Sequence, residues 1–568
     1  MPRALLLAAR TLNAGFHRYG ARRRYSGSFL ARPTCLADTT ALPTLTRGKS
    51  CTMPPASREV QLTELERDLF ATLLAAVKHT EMKVTLRCAG GWVRDKLLGK
   101  ESDDIDVALD TMLGREFAEK VNEYLESTDK TKAKVAVIQA NPEQSKHLET
   151  ARMQIGETWI DCVNLRSETY ASDSRVPEME FGTPKEDAYR RDFTVNSMFY
   201  NITEGVVEDF TERGLQDLDE GVIRTPLAPM ETFLDDPLRV LRAVRFGARF
   251  SFYLEESLQQ AASNQQVLDA LQKKVSRERV GTELEGMFKC ADPVGAIRHL
   301  VNLSVFPVVF SLPGSTSEGA DGRNCLTVLE EGWKILEAKK SEVNLSDVER
   351  RLFVLATLLL PFRMETYKQK KKKLPVTNHI IRESLKWKVK DCENVEKLHK
   401  TVPKILNIMG VLKDVGLTPD GGSNPSPDTN IRVALGLWVR ELKELWRVGA
   451  LMAPLLAMSE AEPFSVEPSD SRTEIPPSLK NMVEGPNVWE NRLAFFDDLK
   501  TTVHGFNLQE AWAIKPLLGG KEVMSVLEME KGGPQLGKAM EHGMNWQLAN
   551  PEGTKEQLAE YLKKGITE

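Results

Sequence analysis

Arg87-Cys88-Ala89-Gly90-Gly91-Trp92-Val93-Arg94-Asp95, followed by Asp104-Ile105-Asp106-Val107-Ala108-Leu109, decides the fold of this 568-residue chain. Residues 83–88 read as a strand, the glycine pair as a turn, 92–98 as a helix and 105–109 as a second strand. Two glycines at a strand-to-helix turn leave backbone N–H groups open. With the helix N-terminus behind them, Gly90 and Gly91 form an anion site suited to a triphosphate. Arg94, one turn into that helix, is expected to reach the same phosphates. Asp104 and Asp106 are two apart on a strand, so their side chains share one face. Paired carboxylates of this kind hold a divalent metal, and Mg²⁺ between carboxylates and phosphates is the usual arrangement for nucleotidyl transfer. A lone Asp-x-Asp is more often a solvated strand end. A Gly-Gly turn, an arginine-bearing helix and Asp-x-Asp within seventeen residues point to chemistry.

Outward from this stretch, apolar spacing predicts a helix over 62–78 and strands over 134–138 and 159–165, so 60–230 reads as α/β with a small sheet. Past Thr232 the strand signal fades and helical patterns take over at 238–248, 254–271, 277–290, 344–359 and 431–452. Gly/Pro/Ser-rich stretches at 313–323, 418–430 and 463–478 punctuate that half. The expected architecture is an α/β head on an all-helical neck, body and tail. Hydrophobic residues at 41% and charged residues at 28% exclude collagen-like, disordered and disulfide-scaffold classes. A net charge of −5 excludes a uniformly basic surface but allows a local basic groove. The longest apolar runs, 352–362 and 448–458, fall short of a bilayer span, so a soluble protein with no membrane partner is expected. The seven scattered cysteines, with no CxxC pair, read as free thiols in a reducing compartment.

The first fifty residues carry nine Lys or Arg and one acid, Asp38, interleaved with Leu5–Leu7, Phe16 and Tyr19 and rich in hydroxyls. That is the composition of a mitochondrial presequence, assigned here to 1–52. Met53 is placed to serve as a second start, giving a form without the address, expected in cytoplasm and nucleus.

The segment 87–109 resembles the signature of class II nucleotidyltransferases of the DNA polymerase β superfamily, and the family that fits best is the CCA-adding enzymes of eukaryotic, fungal-like type. The resemblance continues in order along the chain. Ser174-Arg175-Val176-Pro177 with Phe181-Gly182-Thr183-Pro184 is similar to the family's flexible loop, and Arg190-Arg191-Asp192-Phe193-Thr194-Val195-Asn196 to its ribose- and phosphate-binding motif. Asp217 to Arg224 resembles the hinge motif, Asp235-Asp236-Pro237-Leu238-Arg239 the base-selecting motif, and 276–284 the helix after it. Trp546-Gln547-Leu548 and Asn550-Pro551-Glu552-Gly553-Thr554 resemble the tail of fungal members. One departure is Asp235-Asp236 where many relatives have Glu-Asp. The resemblance implies a polymerase β-like head with a small mixed sheet at 53–230, a neck at 231–300, and a tRNA-binding body and tail at 301–568. It implies addition of C, C and A to the tRNA 3′ end from CTP and ATP with Mg²⁺ and without a template, and nucleotide contacts from Arg191, Asp192 and Asn196. No obligate protein partner is inferred.

The base-selecting motif also has a reading from the residues alone. Cytosine and adenine share an exocyclic amine donor beside a ring-nitrogen acceptor. A carboxylate accepts from the amine and a guanidinium donates to the ring nitrogen. Asp236 and Arg239, three apart on a helix, would face the same way and make that pair. Uracil and guanine show the reverse pattern and leave buried polar groups unpaired. The plainer alternative is a surface ion pair between the two, worth little.

Asp161, on the 159–165 strand, is a candidate third carboxylate; the residues leave open whether it holds metal, orients the primer hydroxyl or merely ends a strand edge. Trp92 reads as packing, and Lys370–Lys373 as a solvated loop of repelling charges. The eight histidines show neither HxxxH nor a His-Asp dipeptide, so neither zinc nor an HD phosphohydrolase is supported. A poly(A) polymerase of the same class and a CC-only adding enzyme are the rival activities. The first lacks support because no Gly-Arg-Arg-Phe element follows the Asp-x-Asp strand, the second because 169–188 looks like a complete loop.

Overall fold

The structure, a computed structural model, describes residues 59–138, 150–169, 178–314, 320–414, 425–461, 477–483 and 485–565. The basic N-terminal segment, Met53 and loop residues 174–177 lie outside the described residues.

Helix α1 (Glu64–His79) starts at a capping box between Thr63 and Glu66. Strand β1 (Leu86–Ala89), helix α2 (Gly91–Leu97), strand β2 (Ile105–Leu109) and helix α3 (Gly114–Ser127) follow. Strands β3 (Lys134–Ile138), β4 (Thr150–Ile155), β5 (Thr158–Asn164), β6 (Arg166–Thr169) and β7 (Glu178–Phe181) lead to helix α4 (Pro184–Arg190). Strands β8 (Phe199–Asn201) and β9 (Val206–Glu208) complete the sheet, which runs β3-β4-β5-β2-β1-β8-β9. Within it only β2 and β5 pair in parallel, so the sheet is mixed, as expected. Their register sets Asp106 directly beside Asp161.

Glu66 joins α1 to α2: its carboxylate accepts from Trp92 Nε1 at 3.0 Å and pairs with Lys96 Nζ at 2.8 Å. Trp92 is buried between Phe70 and Tyr200, which makes it a packing residue. This contact fixes α2, and with it the glycine turn, against the sheet.

After α5 (Gly214–Glu220), α6 (Pro229–Asp235) and α7 (Leu238–Phe250), the chain is mainly helical. The single helix expected over 254–271 is two, α8 (Glu256–Ala262) and α9 (Gln265–Lys274), because the Asn264 side chain caps a new N-terminus on Gln266 N–H. Helix α10 (Arg277–Lys289) packs on α7. The helix expected over 431–452 is likewise split, into Pro425–Leu442 and Trp446–Ala461. The lysine run is not a loop: Thr366–Gln369 and Lys372–Pro375 form an antiparallel hairpin. One apolar core runs from Leu69 in the head through α7 and α10 to Leu548 in the body, and a smaller one gathers Leu518, Val523, Ala539, Leu558 and Leu562. Among the described residues no helix is long and apolar enough to cross a membrane.

Candidate active site

Three carboxylates meet on the neighbouring strands β2 and β5. Asp104 just precedes β2 and is exposed, while Asp106 and Asp161 are half-buried on adjacent strands; one oxygen from each lies within 4.8 Å of the others. Burial, then the Asp104 charge, with Asp161 adding to it, pushes the Asp106 carboxyl up to about 6, against the pull of Arg191. Burial and Asp104 also raise Asp161, although Arg152 opposes them. Asp161 Oδ1 is buried and has no hydrogen-bond partner among the described residues; Arg152 Nε stands 3.6 Å away. Mutually repelling carboxylates with an orphaned oxygen form an all-oxygen donor set, which fits a hard divalent cation. Asp161, left open by the sequence, belongs to this cluster.

The glycine turn is shaped for close approach. Gly90 has φ +69°, and a Cβ there would stand 2.6 Å from Arg191 Nη1. Its N–H, expected from the sequence to be open, instead donates to Met198 O at 3.1 Å, so the free donors begin with the first turn of α2 at Gly91. Arg191 lies over this turn. Its guanidinium is held on Asp187 Oδ2 (Nε 2.9 Å, Nη2 2.8 Å) and stacks on Phe199. Asp187 stays ionised although buried, because Arg191 and Arg190 hold its carboxyl low against burial.

The structure places Arg94, read from the sequence as a phosphate contact, inside the head. It is buried, its Nε donates to Asp95 at 2.8 Å, its Nη1 donates to Asn196 Oδ1, and its guanidinium lies over Phe250 and Phe246. Asn196 in turn donates to Asp192 Oδ1 at 3.0 Å, and Arg242 holds Asp192 Oδ2 through Nε and Nη2 at 2.7 and 2.6 Å. Arg94, Asn196 and Asp192 are thus linked in one buried polar lattice. Burial opposes ionisation of Asp192, yet Arg242 and Asn196 keep its carboxyl below the ordinary range.

Asp236 and Arg239 do not lie on one helix. Asp236 has φ −129° and ψ 96° at the α6–α7 junction, because Pro237 excludes helical backbone at the residue before it. Arg239 sits in the first turn of α7. The two are not paired with each other: Arg239 Nη2 donates to Arg190 O at 2.7 Å, and Asp236 Oδ2 pairs with Arg279 Nη2 at 3.0 Å. That removes the simple surface ion pair as an explanation. Sequence reasoning missed Arg242, Arg245, Arg279 and Glu283. The signal was present in Arg239, Arg242, Arg245 and Arg249 at spacings that line one face of α7, and in Glu283 four residues after Arg279.

Residues 86–224 match the family model for the poly A polymerase head domain. A mitochondrial CCA tRNA nucleotidyltransferase from Candida glabrata is 34% identical over 550 residues, spanning 89% of this chain and 96% of the relative. The chain belongs to the CCA tRNA nucleotidyltransferase family. The mitochondrial member from Saccharomyces cerevisiae is 33% identical, over 89% of this chain and 94% of its own length. A solved CCA-adding enzyme in apo form, 20% identical, has the same fold, with a TM-score of 0.58 over 88% of this chain and 96% of that one.

Proposed function

We propose that this enzyme adds C, C and A to the 3′ end of tRNA, consuming CTP and ATP and releasing pyrophosphate. The carrying observation is the Asp104/Asp106/Asp161 cluster beside a glycine turn overlaid by Arg191, in a chain related to CCA tRNA nucleotidyltransferases along almost its whole length. Asp104 and Asp106, with Asp161, would hold Mg²⁺, which when bound neutralises charge at the α-phosphate and lowers the pKa of the attacking hydroxyl. Arg191 and the Gly91 end of α2 bind the triphosphate. Asp236 and Arg239 read the Watson–Crick edge, and the Arg94–Asn196–Asp192–Arg242 lattice keeps the two subsites at a fixed separation. The tRNA 3′-oxygen forms its bond to the α-phosphorus as the bond to the β-phosphate oxygen breaks.

The chain divides into a head at 53–230, a neck at 231–300, and a body and tail at 301–568; the seven-stranded sheet ends at Glu208, and α6 opens the helical part. Supplying end-trimmed tRNA with CTP, ATP, UTP or GTP singly and in combination, then sequencing the products, tests the activity. Two C residues from CTP alone and one further A on adding ATP are expected. A product of many A residues would replace this reading with a poly(A) polymerase, and a stop after C, C would replace it with a CC-adding enzyme.

The protein acts in mitochondria, an assignment supported by the basic, acid-poor 1–52 segment and by mitochondrial relatives. A form started at Met53 serves cytoplasm and nucleus. Deleting 1–52 is expected to leave activity in vitro unchanged and to abolish import. Identical distributions of full-length and Met53-started fluorescent fusions would end the presequence assignment.

A further inference from the structure

Between Thr366 and Arg382 the chain has no acidic residue, and five of the six positions 368–373 are lysine. These lysines sit on a folded element. Thr366–Gln369 and Lys372–Pro375 pair in register, with Lys370-Lys371 as a two-residue loop. Opposite partners share a face, so Tyr367 and Leu374 point one way and Lys368 and Lys373 the other. The first face is anchored: Tyr367 meets His379 edge-on at 5.4 Å, and Val376 N–H donates to Glu365 O at 2.9 Å. The other face and the tip present Lys368, Lys370, Lys371 and Lys373, all exposed.

As a hairpin alone, this is a poor sequence. Lys368 directly faces Lys373, and like charges at opposed positions destabilise the pair. Lys370 adopts φ +54° in a loop where Asn-Gly would cost least. No carboxylate offsets these costs: none of the five lysines forms an ion pair among the described residues, whereas Lys386 and Lys390 just downstream pair with Glu383 and Glu393. Burial raises Glu365 at the hairpin stem, with no cation drawing it back. The hairpin is also tied to the catalytic neck. The segment after it packs on α10, where Trp387 Nε1 donates to Gly281 O at 3.0 Å and Arg277 Nε to Ser384 O at 2.7 Å; α10 also carries Arg279, the partner of Asp236.

We propose that the Thr366–Pro375 hairpin is an RNA-backbone grip, its four outward lysines binding successive phosphates of the tRNA substrate away from the reacting end. A polyanion supplies the missing counter-charge, and a rigid stem keeps those charges in fixed relation to the neck. The proposal rests on tRNA being the substrate.

The test replaces Lys368, Lys370, Lys371 and Lys373 together by Gln, with a matching all-Arg variant, in the full chain. Binding of end-trimmed tRNA is measured from 50 to 300 mM KCl, alongside addition kinetics and binding to phosphatidylglycerol vesicles. Each phosphate that is no longer gripped lowers the salt slope by about one, so the Gln variant should show a slope smaller by about three to four and bind roughly tenfold or more weakly at low salt. KM for tRNA should rise while kcat and KM for CTP and ATP hold, and the Arg variant should bind like the parent. An unchanged slope and affinity in the Gln variant overturns the grip, as does loss of vesicle binding with tRNA binding intact. If the parent protein itself neither binds nor extends tRNA, the proposed function fails first, and the parent control makes that visible.

Discussion

Asp104→Ala and Asp106→Ala are each expected to lower kcat for C and for A addition by at least about 10³, with tRNA affinity retained. Charge stabilisation of several kcal/mol at the α-phosphate is at stake, and each 1.4 kcal/mol is tenfold in rate. Near-normal turnover with Mg²⁺ in either variant would remove the metal assignment. Asp106→Asn gives a readout independent of activity. The folded state raises the Asp106 carboxyl from its ordinary 3.8 to about 6, so folding favours the protonated form. The stability this confers is present at low pH and is lost as pH rises through about 6. At pH 8 without metal, ionised Asp106 therefore opposes folding, and Asp106→Asn should raise Tm. Added Mg²⁺ should raise Tm of the parent and do little for the variant. A variant less stable than the parent at pH 8 without metal would mean that the carboxylate cluster is not held against repulsion. Activity of the parent should fall as pH drops below about 6, where the Asp106 proton competes with the cation.

What can be read from the chain follows the range of the interactions involved. Ile105–Leu109 and Lys134–Ile138 coincide with observed strands, and α7 and α10 with expected helices, because their apolar periodicity is local. Strand β4 carries Arg152 opposite Asp161 and reads as nothing in particular until β5 lies beside it. The Asp-x-Asp pair is legible since two positions two apart hold both residues. Asp161 needs the parallel β2–β5 register, a long-range pairing that one strand's sequence does not reveal. The partners of Arg94 and Asp192 escape sequence reading for the same reason. Spacing places a guanidinium one turn from the glycines, but whether it faces solvent depends on Phe246, Phe250 and Asn196, 102 to over 150 residues later. Helical spacing also misplaces Asp236, although Pro237 beside it signals the break.

Asp236→Ala should change nucleotide choice and not only rate. On the proposed base reading, the substitution removes the acceptor for the exocyclic amine and leaves Arg239, anchored on Arg190 O, as a donor. Uracil and guanine offer a carbonyl oxygen where cytosine and adenine offer the amine, and that oxygen no longer meets a carboxylate. Sites built on hydrogen bonds reject a mismatched group by about 10⁴, so the fall in discrimination against UTP and GTP should be large. Arg239→Ala should slow CTP and ATP together, since both are deprived of the ring-nitrogen hydrogen bond. The structure adds one further expectation. Asp236 is held from behind by Arg279 at 3.0 Å and by Leu238 N–H at 3.2 Å, so both carboxylate oxygens have partners before a base arrives. A base amine must share an oxygen already oriented by Arg279 or by Leu238 N–H, contacts that fix the carboxylate against the different reach of a pyrimidine and a purine. Values of kcat/KM for all four nucleotides on both variants decide the matter. If Asp236→Ala slows every nucleotide equally with selectivity intact, the carboxylate serves only to hold Arg279, and base choice resides in other residues.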